Sequence, residues 1–256
     1  MSFSLIFFKN NIFNHTTRIE PYFVDKIILM TCFLIFLDET LLQIVLNIFT
    51  DEVLSQFIER APELESSLEK VQDKMVLEPA NQKIFEYLAS AILYQQITGK
   101  AAASVEKRLL NLIDEYHPDY ILAQSIDSLR SCGLSRQKAT YMHTLSEAFR
   151  EGGSLHAYSS PASLNKIPNE EAVKLISSVK GIGSWTVKVM LLFNLGRLDI
   201  LVENDLGVQK GIEIMYQLPT TPKPKEIKQL TKHWGDLASV GSFLAWRILH
   251  LQRGDE

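Results

Sequence analysis

The 256-residue chain is 46% hydrophobic with a formal charge of −4, enough length to bury a substantial apolar core within one domain-sized unit. Removing the first fifty residues, which hold three basic and four acidic side chains, leaves −3; bulk charge advertises no polyanionic partner, so any nucleic-acid face has to be a local cluster. Cys32 and Cys132 are too few for a disulfide scaffold or a four-cysteine iron–sulfur site, and the six histidines lack HxxxH or CxxC companions, so no metal site is expected.

Residues 1–50 stand apart, rich in Phe, Ile, Leu and Asn, with apolar runs from Ile27 to Leu37 and from Leu41 to Phe49 interrupted by Asp38 and Glu39. An eleven-residue run is too short to span a bilayer. The two acids break the longer stretch, and no small-residue cleavage site follows as a signal peptide would need. Three readings stay open: a poorly packed extension, an interfacial or organellar targeting segment, or sequence upstream of the true start. The folded domain is expected over 51–256.

Thr50 ahead of Asp51, Glu52 and Val53 forms a helix-capping pattern, and nothing after it alternates like a sheet. Leu64, Leu68 and Val71, then Ile84, Leu88, Ala91 and Ile92, then Val105, Leu109, Leu112 and Ile113 recur at spacings of three and four, each stripe predicting one buried helix face. Gly152-Gly153, Pro161, Pro168, Gly196 and the cluster from Pro219 to Pro224 punctuate the rest into short helices. The fold class read from this pattern is all-α. Two segments interrupt the stripes, LYQQITGKAA from Leu93 to Ala102 and CGLSRQKA from Cys132 to Ala139.

Val179-Lys180-Gly181-Ile182-Gly183 joins the apolar-periodic EEAVKLISS to WTVKVMLLF, so two glycines fall between two predicted helices. Glycine relaxes the backbone there, letting successive N–H groups converge on an anion at the positive end of the next helix. On its own such a GxG is as well read as a tight turn. About twenty residues on, Asp205 precedes LGVQKGIEIMY and is placed at a helix start, where a cap and a reactive carboxylate look alike. Trp234 and Trp246 lie in the last helical segments, where large aromatics usually serve the core.

Taken in order, QQITGKAA, CGLSRQKA, GIGSWTVK and DLGV resemble the motifs of the helix-hairpin-helix, Gly-Pro-Asp DNA glycosylase superfamily, specifically its alkylation-repair 3-methyladenine DNA glycosylase type. The resemblance covers roughly residues 51–251. It implies two helical lobes with a cleft, an enzyme of base excision repair, and a nucleotide turned out of duplex DNA for hydrolysis of its N-glycosidic bond. Asp205 would be the catalytic carboxylate, stabilising positive charge on the sugar and orienting water, with Asp199 bracing the loop. Trp185, Tyr94 and Trp246 would wall the base pocket, where an indole face attracts a cationic base. Gln96 would wedge into the duplex. Lys180, Gly181, Gly183 and Ser184 would hold a phosphate, with a monovalent cation allowed beside them and no other cofactor.

No second carboxylate is evidently paired with Asp205, which fits a leaving group that is already cationic, such as 3-methyladenine or 7-methylguanine. Bifunctional relatives carry a Schiff-base Lys where this chain has Trp185, so the resemblance implies a monofunctional enzyme without lyase activity. Ser184 and Val202 stand where the family has Pro, and Ala238 near a usual Arg. Ser184 is acceptable at a helix start and can cap it, so the hairpin is expected to survive, while the loop before Asp205 is expected to be less rigid. The expected partner is double-stranded DNA with alkylated bases, without a stable membrane partner, the chain acting as a monomer in the nucleus. A noncatalytic helix-hairpin-helix protein that binds damaged or branched DNA shares every binding feature and is the alternative.

Overall fold

The computed structural model describes residues 47–254; the readings placed on residues 1–46 lie outside them. The last residues of the expected extension pack onto the domain. Phe49 is buried with its ring 5.1 Å from that of Phe243, and Asn47 accepts from the Leu77 N–H at 2.8 Å while donating to the Met75 carbonyl at 3.2 Å.

Thirteen α-helices and no strand occur among the described residues, as the all-α pattern predicts. They are α1 (Asp51–Arg60), α2 (Glu65–Glu69), α3 (Ile84–Tyr94), α4 (Gly99–Ile113), α5 (Pro118–Leu122), α6 (Ile126–Ser131) and α7 (Arg136–Phe149). These are followed by α8 (Pro161–Leu164), α9 (Asn169–Ser177), α10 (Ser184–Phe193), α11 (Leu206–Met215), α12 (Pro224–Leu230) and α13 (Ala238–Arg253). Thr50, Thr98, Ser125, Ser135, Ser160 and Asp205 each cap a helix by accepting a first-turn N–H. Such a cap contributes about 0.5–2 kcal/mol. The predicted stripes are buried except at Ala91, which is half-buried, and Leu112, which is exposed.

The closest helix packings fall into two sets. One joins α3 to α7 with α9 and α10; the other gathers α1, α2 and α11 around α13, with α12 packed on α11. Every residue from Ala238 to Ala245 is buried, which makes α13 the axis of its lobe. Small residues allow this. A Cβ on Gly211 would collide with the Ala245 backbone, and one on Gly241 with the buried ring of Trp234, which also meets Phe57 edge-on at 5.7 Å. Trp234 is therefore core, where burying a large apolar side chain contributes about 1.5–3 kcal/mol.

In the other lobe, α3 and α10 lie antiparallel, pinned at both ends. Buried Asn194, just past α10, accepts from the Gln82 N–H at 2.8 Å and donates to the Gln82 carbonyl at 3.1 Å. At the opposite end Gln95 donates to the Gly181 carbonyl at 3.2 Å. This pairing brings Tyr94 and Gln96, at the end of α3, to the same end as Trp185 at the start of α10.

Candidate active site

The chain between α9 and α10 turns at Gly181, whose φ of +101° and contact with the Tyr141 ring leave no room for a side chain. Gly183 is different. Its φ of −87° is open to any residue, and a Cβ there would meet nothing within 4 Å. The need at Gly183 is for open space in front of α10, not for unusual backbone. Gly183 is the N-cap of α10 and Ser184 its first residue, and no side chain caps the helix, which corrects the capping role allowed to Ser184. First-turn N–H groups of a helix lack intrahelical partners, so this exposed end, with exposed Lys180 beside it, can accept an anion.

Lys138 and Lys188, two basic side chains near the hairpin, are committed to contacts within the protein. Lys138 donates to the Leu93 carbonyl at 2.6 Å, closing the end of α3, and burial lowers its pKa. Lys188 is ion-paired with Glu203, and Arg136 lies 3.7 Å from Asp127. Lys180, Lys223, Lys225 and Lys232 remain on the exposed surface.

Asp205 caps α11. Its Oδ1 accepts from the Val208 N–H at 2.9 Å and from Trp246 Nε1 at 2.8 Å, and its Oδ2 accepts from Trp185 Nε1 at 2.8 Å. Three donors from three helices thus converge on one carboxylate, an arrangement suited to its ionised, acceptor-only form. The approach of Trp246 depends on Gly207, where a Cβ would lie 2.9 Å from both Trp246 Cδ1 and Asp205 Oδ1. Trp246 is half-buried against Phe193, ring centroids 5.6 Å apart.

The loop leading to Asp205 is held more firmly than its sequence suggests. The Val202 N–H donates to Ser242 Oγ at 3.2 Å and the Ile200 N–H to Ser239 Oγ at 3.0 Å, while the Asp205 N–H donates back to the Val202 carbonyl at 3.0 Å. Val202 is buried, and Pro in its place would have no N–H to offer Ser242. The loss of rigidity expected from Val202 is therefore offset from α13. Asp199 is exposed in the same loop.

Glu203, two residues before Asp205, is held by other partners. Its buried carboxylate pairs with Lys188 and, at 3.1 Å, with Lys228. Burial by itself would push its pKa up; hydrogen bonds from Lys188 and the backbone and the lysine charge outweigh this and hold it below the usual value.

The sequence candidates divide accordingly. Asp205, Trp185 and Trp246 meet by direct hydrogen bonds. Tyr94 shares their end of α3 and α10, but its hydroxyl donates to Glu106 at 2.9 Å, as does that of Tyr116. Gln96 is exposed in the turn before α4 with a φ of +56°, a conformation uncommon outside glycine that a packed neighbourhood must hold. Leu206, 61% exposed directly after Asp205, is a candidate that the motifs do not single out; like Trp185, 44% exposed, it leaves apolar surface beside the capping carboxylate. The signal for it is there in the chain, since a large apolar residue at a helix start after a capping Asp has little core to reach.

Residues 89–236, more than half of the chain, match the model of the HhH-GPD superfamily base excision DNA repair protein. DNA-3-methyladenine glycosylase 1 of Schizosaccharomyces pombe is 25% identical over 170 residues, covering 65% of this chain and 73% of that protein. DNA-3-methyladenine glycosylase of Saccharomyces cerevisiae is 34% identical over 158 residues, 58% of this chain and 50% of that one. Among solved structures, the DNA-3-methyladenine glycosidase of Bacillus halodurans superposes with a TM-score of 0.70 at 23% identity, covering 81% of this chain and 93% of that chain, a likeness of fold.

Proposed function

The chain belongs to the HhH-GPD superfamily of base excision DNA repair proteins, and from that premise we propose that it is a monofunctional DNA glycosylase acting on alkylated purines, 3-methyladenine and 7-methylguanine, in duplex DNA. The observation that carries this reading is the Asp205 carboxylate, held by two indole N–H groups and a helix N-terminus, with the exposed side chains of Trp185 and Leu206 next to it in structure and in sequence. Cleavage of an N-glycosidic bond builds positive charge on the sugar. A preorganised carboxylate stabilises that charge and orients the incoming water.

The base has to leave the duplex to reach Asp205. Gln96 is exposed to fill the gap, and the uncapped start of α10 with Lys180 receives a backbone phosphate, a monovalent cation beside it being compatible with the hairpin. With its N–H turned to Asp205, the Trp185 ring offers its face to a cationic base, an attraction of about 0.5–2 kcal/mol. Such a base leaves without a strong general acid, consistent with Glu203 being spent on two lysines. The Lys188 amine, held by Glu203 and the Leu201 carbonyl, is poorly disposed to attack the sugar, which supports release of the base without strand cleavage. The substrate places the enzyme, as a monomer, wherever DNA is repaired, the nucleus in a eukaryotic cell.

The test is chromatographic detection of free 3-methyladenine and 7-methylguanine released from methylated duplex DNA by the full chain, beside Asp205→Asn. Release by the wild type that the substitution abolishes, with duplex binding retained, supports the reading. Binding of methylated duplex without release of either base replaces it with the noncatalytic alternative.

A further inference from the structure

We propose that Lys188 is a positioning residue, tying the helix that grips the DNA phosphate to the loop that carries Asp205; the inference rests on the glycosylase reading and extends it to how the reaction centre is placed. Helix α10 extends two side chains one turn apart toward the same loop. Trp185 reaches Asp205, and Lys188 reaches Glu203 and, at 2.9 Å, the Leu201 carbonyl. Residues three apart on a helix share a face, so these links run side by side across the seam between the lobes.

An ion pair placed here needs an explanation. Glu203 is only 3% exposed, and its desolvation makes the pair a poor source of net stability. What a buried, hydrogen-bonded pair supplies is fixed geometry. Ser239 and Ser242 secure the loop to α13 on one side, and Lys188 secures it to α10 on the other. The start of α10 is the anion-accepting end of the hairpin. A phosphate held there fixes α10 relative to the duplex, and Lys188 passes that registration to residues 201–205, so the carboxylate meets the sugar at a set distance. Lys228, 3.1 Å from the other Glu203 oxygen but largely exposed on α12, keeps Glu203 neutralised without touching α10. It can replace the charge of Lys188 but not the link.

The test compares Lys188→Met, which keeps length without charge, and Lys188→Arg, which keeps a donor, in the full chain. Two readouts are followed: the single-turnover rate of 3-methyladenine release, and the Trp185 indole N–H resonance in ¹⁵N-labelled protein, assigned with Trp185→Phe. The Met variant is expected to slow release about 10- to 100-fold, the scale on which misplacement of a reacting group acts. Its affinity for a duplex with an abasic-site analogue should stay unchanged and its Trp185 resonance should move, with Lys188→Arg recovering rate and resonance. A folded Met variant with an unmoved Trp185 resonance, or with wild-type release, overturns the proposal. Should Lys188→Met fail to fold, Lys188→Met with Glu203→Gln removes the link without stranding a buried charge, and the same outcomes apply. A wild type that releases no base overturns the glycosylase reading alone, because the resonance still decides the coupling.

Discussion

Trp185 Nε1 lies 2.8 Å from Asp205 Oδ2, a single hydrogen bond that crosses from the first turn of α10 to the cap of α11 and so joins the two lobes at the carboxylate. Asp205 has two roles that substitution can separate. Asn is as good an N-cap as Asp, but its amide nitrogen cannot accept the Trp185 N–H, so Asp205→Asn should keep the cap, lower the melting temperature by the loss of one indole hydrogen bond, and lower base release about 10²- to 10⁴-fold. Asp205→Ala loses the cap and both indole hydrogen bonds, so it should lose activity together with clearly more stability than Asp205→Asn. Calorimetry beside base-release assays distinguishes the two; an Asn variant with wild-type turnover would remove Asp205 from the chemistry.

The indole donors are the second test. A hydrogen bond to a charged group contributes about 1.5–3 kcal/mol, and replacing Trp246 by Phe keeps an aromatic ring while removing the N–H from Oδ1. Trp246→Phe should lower the rate of base release with little change in affinity for an abasic-site duplex. Gly207→Ala should reproduce that loss by pushing the ring away from Asp205, at an overpacking cost of about 1–3 kcal/mol measured by urea denaturation. Full activity in both variants would show that neither the indole donor nor the placement of its ring matters to the reaction.

Much of this site is legible in the chain because its parts announce themselves locally. Asp205 precedes an apolar-periodic run and so has to cap a helix, and the two glycines fall between two such runs. The partners of Asp205 are another matter. Nothing in the spacing of Trp246 says that its indole turns out of the core to the carboxylate while Trp234 stays buried; Gly207 and Gly211 decide that, by letting α13 approach α11. The pairing of Glu203 with Lys188 and Lys228 joins three elements separated in sequence, and the support of Val202 by Ser242 spans forty residues. Glycine also conceals its purpose in a sequence: Gly181 is required by its φ and by Tyr141, Gly183 by neither.

The serine support yields a third prediction. Ser242→Ala removes the partner of a buried N–H, and an unsatisfied buried donor costs about 1–3 kcal/mol. Val202→Pro removes the N–H itself and should leave Ser242 with its bond to the Ile200 carbonyl at 3.2 Å. If the loop owes its rigidity to the Val202–Ser242 hydrogen bond, the losses should be less than additive in chemical denaturation, the double variant falling below Val202→Pro only by the bond from Ser242 to the Ile200 carbonyl. Additive losses would mean that the two residues act independently.

Acid stability should depend on Glu63, which accepts from Tyr216 at 3.0 Å and His233 at 2.8 Å and thereby links the start of one lobe to the far end of α11. Burial works to raise its pKa, but hydrogen bonds from the backbone, Tyr216 and His233 prevail and lower it from the ordinary 4.5. A depressed folded-state value means that this stabilisation is fully present above pH 4.5 and is lost as pH falls through the lower folded value. Glu63→Gln should therefore lower the melting temperature near neutrality and flatten its fall below pH 4.5, seen by thermal melts across that range. A parallel fall in both proteins would remove Glu63 from the acid response.

The hairpin glycines give the sharpest contrast between folding and binding. At Gly181 a methyl group would enter the Tyr141 ring from a backbone with φ of +101°, so Gly181→Ala should destabilise the protein and weaken DNA binding through the fold. At Gly183 the same methyl group meets nothing in the protein and its backbone is unstrained, so Gly183→Ala should melt like the wild type. Its Cβ would nonetheless occupy the space in front of α10 where a phosphate has to approach the N–H groups. Duplex affinity should fall in this variant without a stability change, and the slope of log K against log salt should shrink by about 0.9 for the one phosphate no longer neutralised. Equal affinity and an unchanged slope would place the phosphate elsewhere, because a methyl group at Gly183 meets no neighbour in the protein whose displacement could disguise a weakened grip on the duplex.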